Sequence, residues 1–230
     1  MNRNNWKSQK FIDPRSELPR SNFNRFFKKK IQLSLQGILS MEHQHFKLYK
    51  PFGMLSQLQS NDQKEARKKR FLSELYVFND GFMPVGRLDE KSEGLLLMTS
   101  DGKKSNEINQ SGIEKQYLAQ LDGIIGNEAI IRLNKGVEIP MEGKRYMTKP
   151  AKVHVLKTAP QLPVPSSKLR LERHRPCSWI SITLTEGKYR QVRKMTAAVG
   201  FPTLRLIRIR IGSIHLDKMA PGDVQEIPKL

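Results

Sequence analysis

The sequence predicts an α+β fold built on a mixed sheet. Short apolar segments recur between residues 46 and 211, some alternating and some continuous. Only a few stretches of helical period lie between them, and Gly, Pro, Asn and Asp punctuate the joins. No internal repeat is visible, which argues against a solenoid. Many strands interleaved with few helices in this way suggest an α+β fold on a mixed sheet.

The first 44 residues stand apart. Lys7, Lys10, Arg15, Arg20, Arg25 and Lys28-Lys29-Lys30 are spread through them, and the apolar residues keep no sustained period. A mobile basic arm is expected over 1–44, with at most a short helical turn near 31–39, followed by one domain over 45–230. That domain opens on an alternating strand at 46–49, turned by Lys50-Pro51-Phe52-Gly53. A helix is expected over 62–76, with Phe71, Leu72 and Leu75 on one face. One strand then enters Asp89, and a buried one follows at 95–99, where Leu95-Leu96-Leu97-Met98 is continuous. Ser100 or Asp101 caps a helix over 102–109.

Residues 115–122 alternate, with Tyr117, Ala119 and Leu121 on one side. A helix over 127–134 ends at Gly136, and 151–156 is a strand. Pro160, Pro163, Pro165 and Pro176 among basic residues make 157–177 a long basic loop. Strong β-formers fill a strand at 178–184. A helix at 188–199 carries the apolar stripe Val192, Met195, Thr196, Val199, with Gly200 just past its end. In the last strand, 204–211, Arg alternates with Ile.

Composition narrows the function classes. The 230 residues carry a formal net charge of +19, 37% hydrophobic and 27% charged residues, and a pI of about 10.1. Such charge implies a polyanionic partner. No apolar run reaches the roughly 18–20 residues that span a bilayer, and no basic amphipathic helix suits a membrane surface. The N-terminus is polar, without a secretory apolar core. Cys177 is the single cysteine, so an intrachain disulfide and a cysteine zinc site are excluded, and a reducing cytoplasm is expected. The five histidines, His43, His45, His154, His174 and His215, are joined by no carboxylate cluster, and no metal site is expected. No nucleophile elbow supports a serine triad.

Three places can carry chemistry. In Gly86-Arg87-Leu88-Asp89 an acid and a base lie two apart, on one side of the chain if the backbone is extended. Gly86 and Gly94 let the backbone bend or approach a ligand closely. An isolated pair of this kind is most often a weak surface ion pair. Arg190 and Arg193 lie three apart on the expected helix, at the edge of its buried face, where they compete to pair with the carboxylate or form a solvated basic face. Tyr117, in Lys115-Gln116-Tyr117, can stack on a base or move a proton.

Together these segments resemble the bacterial ribosomal pseudouridine synthases. The resemblance is carried by Gly86-Arg87-Leu88-Asp89, by 95–102, by Glu186-Gly187-Lys188-Tyr189-Arg190-Gln191-Val192-Arg193-Lys194-Met195 and by 199–208. It covers about residues 46–217 in order, and the last run is most similar to members that act on the large subunit. It implies a largely antiparallel sheet in two halves, flanked by helices, with the catalytic cleft between. It implies cofactor-free isomerisation of a uridine in large-subunit (23S) ribosomal RNA or a pre-ribosomal particle, by a cytoplasmic monomer.

The resemblance makes Asp89 the nucleophile, Arg193 its salt-bridge partner and Tyr117 the stacking and proton-handling ring. Arg87 helps hold the flipped-out RNA, and Lys50, Lys115, Lys188 and Arg190 are expected at the RNA as well. Uridine within folded RNA must be extruded to be reached. The sequence departs from the family pattern in Tyr49 for Asn, Ser92 for Thr, Ala119 for Val and Lys188-Tyr189 for Arg-Asn; none of these touches Asp89, Tyr117 or Arg193. The alternatives are a same-family synthase for small-subunit RNA or tRNA, and a non-catalytic RNA-binding assembly protein.

Overall fold

A central sheet runs in the order β11-β1-β3-β9-β4-β8-β7 in the computed structural model, which describes residues 43–169, 171 and 176–230. Its strands are β1 (His45–Lys50), β2 (Met83–Val85), β3 (Glu93–Thr99), β4 (Lys115–Asp122), β7 (Lys152–Val155), β8 (Cys177–Leu184), β9 (Thr203–Ile211), β10 (Ile214–His215) and β11 (Val224–Ile227). β2 and β10 attach beside β3 and β9, while β5 (Glu138–Met141) and β6 (Lys144–Met147) form a separate hairpin. The helices are α1 (Gln63–Lys68), α2 (Gly102–Gln110), α3 (Asn127–Lys135) and α4 (Gln191–Ala198). The fold is the expected α+β type, and residues 43–230 form one compact unit.

Two antiparallel halves, β11-β1-β3 and β4-β8-β7, meet through β9. β9 runs antiparallel to β4 over most of its length but pairs parallel with β3 only at Glu93↔Ile207 and Gly94↔Arg208. Every other strand pairing among the described residues is antiparallel. The two halves therefore touch at a narrow seam. Gly94 makes that seam possible. Its φ is +101°, and a Cβ there would collide with the backbone oxygen of Arg208. The close approach that this glycine allows is to another strand, not to a ligand.

Burial explains the elements. β3 is buried along its whole length, as its continuous apolar run requires. β4 buries Tyr117, Ala119 and Leu121 on one face, in a core with Leu133, Ile180, Ile182, Val192 and Met195. The Asp101 side chain caps α2 by accepting from the Lys104 N–H at 3.0 Å. Gly136, at φ +97°, ends α3.

Several expectations shift. The helix over 62–76 breaks into α1 and a 3-10 turn at Leu72–Glu74. No residue of α1 is buried, and the backbone beyond it is claimed by tertiary bonds: Leu55 N–H donates to Arg70 O and Leu72 N–H to Gln57 O. The strand entering Asp89 ends at Val85, and 86–92 form a loop. The helix expected from 188 begins at Gln191. The described part of 157–176 is irregular apart from a 3-10 turn at Ser167–Leu169, and Cys177 already begins β8. The basic arm lies outside the described residues except for His43 and Gln44, which both contact the Ser100 hydroxyl.

Candidate active site

Asp89 stands in the loop between β2 and β3, and that loop is held from several sides. Ser56 Oγ accepts from Leu88 N–H at 2.9 Å and donates to Leu88 O at 2.8 Å. Gly53 N–H donates to Glu90 O at 2.8 Å, and Ser92 N–H closes a turn on Asp89 O at 3.0 Å. Arg193 of α4 donates through Nη2 to Lys91 O at 2.6 Å and through Nη1 to Thr203 O at 3.1 Å. A loop bonded this way holds its carboxylate in one place without help from a regular element.

The carboxylate of Asp89 is half-buried and faces two guanidinium groups. Arg190 Nη1 lies 3.6 Å and Arg193 Nε 3.9 Å from Asp89 Oδ2. The two arginines differ. Arg193 is nearly buried and anchored to carbonyls, while Arg190 is one-third exposed. Burial, reinforced by the neighbouring Arg190 charge, lowers the pKa of the Arg193 guanidinium below its ordinary value, while Asp89 and Glu93 pull it the other way. Arg190 lies outside the helix, as its N-cap residue, with a left-handed backbone at φ +53°. The shared helix face expected for the two arginines therefore gives way to a turn, and the turn brings both to Asp89.

Tyr117 opens on the same space. A cleft of about 1080 Å³ is bordered by Arg87, Asp89, Lys115, Tyr117, Lys188 and Arg190, large enough for a nucleotide. Arg87 and Lys188 are exposed at it, and the Lys188 ammonium sits 5.1 Å from the Tyr146 ring centroid. Lys115 is half-buried, and burial together with Arg208 lowers the pKa of its ammonium.

Lys50 does not reach this surface. It is wholly buried, and its ammonium donates to Met54 O at 2.7 Å, Pro51 O at 3.0 Å and Glu90 O at 3.4 Å. Burial pushes it down to about 7 despite the pull of Glu93 and Asp89. The expected RNA contact is corrected to a brace under the Asp89 loop, because three carbonyls already take its protons.

Other participants escape a reading of sequence. Glu93 and Arg205 form a buried pair, Nε to Oε1 at 2.9 Å and Nη2 to Oε2 at 3.0 Å. The Tyr49 hydroxyl lies 3.5 Å from Glu93, and burial and that carboxylate push it up to about 12. At the rim, burial pushes the Glu186 carboxyl up, but hydrogen bonds from Tyr146, the Lys149 N–H and Gln191 outweigh it and hold it low. The Glu93 pairs with Tyr49 and Arg205 join residues 44 and 112 apart in sequence, so no spacing announces them. Among the described residues no group of three or more His, Cys, Asp or Glu is placed to hold a metal ion.

The model of the RNA pseudouridylate synthase family matches residues 44–198. The chain belongs to that family. The synthase is 41% identical over 176 residues to the ribosomal large subunit pseudouridine synthase E of Xanthomonas axonopodis pv. citri, covering 76% of this chain and 88% of that one. It is 39% identical over 180 residues to the synthase E of Vibrio parahaemolyticus, covering 77% of this chain and 71% of that one. A crystal structure of a pseudouridylate synthase superimposes with a TM-score of 0.64 at 27% identity, covering 82% of this chain and 72% of the other. The synthase is thus an enzyme that isomerises uridine in RNA. No helix among its described residues is long and apolar enough to cross a membrane.

Proposed function

We propose that the synthase converts one uridine of large-subunit (23S) ribosomal RNA to pseudouridine, as a cytoplasmic monomer, with Asp89 as its nucleophile. The observation that carries this reading is the Asp89 carboxylate, set between Arg190 and Arg193 at 3.6 and 3.9 Å on a cleft that Tyr117 also lines. The names of the large-subunit relatives support the choice of RNA.

The reaction breaks the bond from C1′ to N1, turns the base and rejoins it through C5, so it is redox-neutral and hydrolyses nothing. The attack needs a carboxylate nucleophile, and the paired guanidinium groups supply the counter-charge beside it. Tyr117 stacks on the extruded base and handles a proton. Arg87, Lys188 and Arg190, around the mouth, meet the RNA backbone, and Lys115 lies deeper.

Mapping pseudouridine across ribosomal RNA in cells with and without the gene tests the target. Loss of one large-subunit site is expected; loss of a small-subunit or tRNA site instead would refute the choice of RNA. Asp89→Asn, nearly isosteric but unable to form the adduct, should abolish turnover while RNA binding stays within about threefold. An Asn variant with a tenth of the normal rate would remove Asp89 from the nucleophile's role.

A further inference from the structure

β9 carries three arginines within six residues, and two of them are matched to carboxylates. Arg205 pairs with Glu93 at 2.9 Å, and Arg210 donates to Glu114 at 2.9 Å and to Gln116 at 3.1 Å. Arg208 differs. It is 2% exposed, and its Nε donates to Leu95 O at 2.8 Å. Among the described residues its Nη2 has no hydrogen-bond partner and no carboxylate pairs with it. A buried guanidinium left without a counter-charge is costly. Arg208 also borders the cleft. It lies directly opposite Tyr117 in the β4–β9 register, which puts the two side chains on one face of the sheet. Arg208 also helps lower the pKa of the Lys115 ammonium, which borders the same cleft.

The geometry points to the Arg208 guanidinium as the donor that receives a carbonyl oxygen of the extruded uracil and stabilises the negative charge that gathers there. This rests on the reading of Asp89 as the attacking group. If the carboxylate displaces the base at C1′, the electron pair of the C1′–N1 bond leaves with uracil and spreads to O2 and O4. If it adds at C6, the C5=C6 pair moves to O4. By either route the charge falls on oxygen, and it is discharged as C5 bonds to C1′, the Asp89 adduct bond breaks to restore the carboxylate, the C5 proton passes to a base in the cleft and N1 takes up a proton. A donor held in place beforehand in a dry floor suits that need, because it does not reorganise as the charge forms. A phosphate is the less fitting ligand: it stays with the chain at the cleft mouth, where Arg87 and Lys188 are exposed.

Single-turnover rates at saturating RNA test this, using RNA with uridine, 2-thiouridine or 4-thiouridine at the target and wild-type, Arg208→Gln and Arg208→Lys proteins. Sulfur is a poor acceptor, so one thio substitution should slow the wild type tenfold or more. Arg208→Gln should lose about 10²-fold on normal RNA, as removal of an oxyanion donor does. It should also lose most of the thio effect, because the two changes delete the same contact. Arg208→Lys should fall between, with RNA affinity within about threefold. A wild type indifferent to both sulfurs overturns the assignment even if the variants fail to fold, and so does a thio effect undiminished in Arg208→Gln. Weakened binding with a shallower salt dependence and normal saturated rates would make Arg208 a phosphate contact and equally overturn it. If wild type acts on normal RNA in any of these cases, the reading of the chain as a synthase stands; if wild type is inactive, both fall.

Discussion

Arg193 Nε points at Asp89 Oδ2 across 3.9 Å, close enough for charge attraction and too far for a hydrogen bond. The rest of its fork is spent on Lys91 O and Thr203 O. Arg193 thus acts twice, as a counter-charge to the carboxylate and as a clamp on the loop that carries it.

Arg193→Lys keeps the charge and loses the clamp, since an ammonium cannot span both carbonyls in one plane. Turnover should fall about 10²-fold, whereas Arg190→Lys, at a partly exposed and unclamped position, should lose less than about tenfold. Single-turnover kinetics on the mapped RNA segment checks both. The reverse ranking would make Arg190 the partner that matters.

Tyr117→Phe keeps the stacking face and removes the hydroxyl. If the phenol moves a proton, the rate should drop about 10²-fold or more, within the range that acid–base catalysis contributes. A Phe variant within a few-fold of wild type would leave stacking as the whole role of the ring.

Lys50 predicts a pH dependence of stability. Folded, it titrates near 7; unfolded, near its ordinary value of about 10.4. Between these limits the unfolded chain holds a proton that the folded chain has lost, so stability rises with pH, by at most about 1.4 kcal/mol per unit. Below about 7 both states are protonated and the full cost of the buried charge is present. Urea midpoints of the wild type should therefore climb relative to Lys50→Met from pH 7 to 9.5. A constant difference would show that the Lys50 ammonium keeps its proton.

Residues 1–42 are rich in Lys and Arg and poor in apolar pattern. Deleting them should weaken RNA binding and flatten its salt dependence by about 0.7 to 0.9 of a log unit per lost phosphate contact. The modified uridine should stay the same. A truncated protein that modifies a different uridine would make this segment a reader of sequence.

The sequence by itself determines the elements whose signal lies in neighbouring residues. The alternation at Lys115–Asp122 specifies β4 and puts Tyr117 on its buried face, and the unbroken Leu95-Leu96-Leu97-Met98 specifies the core of β3. Asp89, Tyr117 and Arg193 can be proposed from the sequence because each sits in a recognisable motif. Only the tertiary structure decides the rest. Local pattern favours a helix through Phe71, but backbone bonds from 55–57 break it. Arg190 continues a helix on paper, yet a left-handed turn points it at Asp89. Lys50 lies in the turn Lys50-Pro51-Phe52-Gly53, but it is buried and its ammonium goes to the carbonyls of Pro51, Met54 and Glu90. Arg208 looks like Arg205 and Arg210 along β9, and only the register with Tyr117 and the missing carboxylate set it apart. The reason is common to all four. Periodicity reports which face of an element is buried, but the partner that a backbone group or a charge finds depends on how distant segments pack around it.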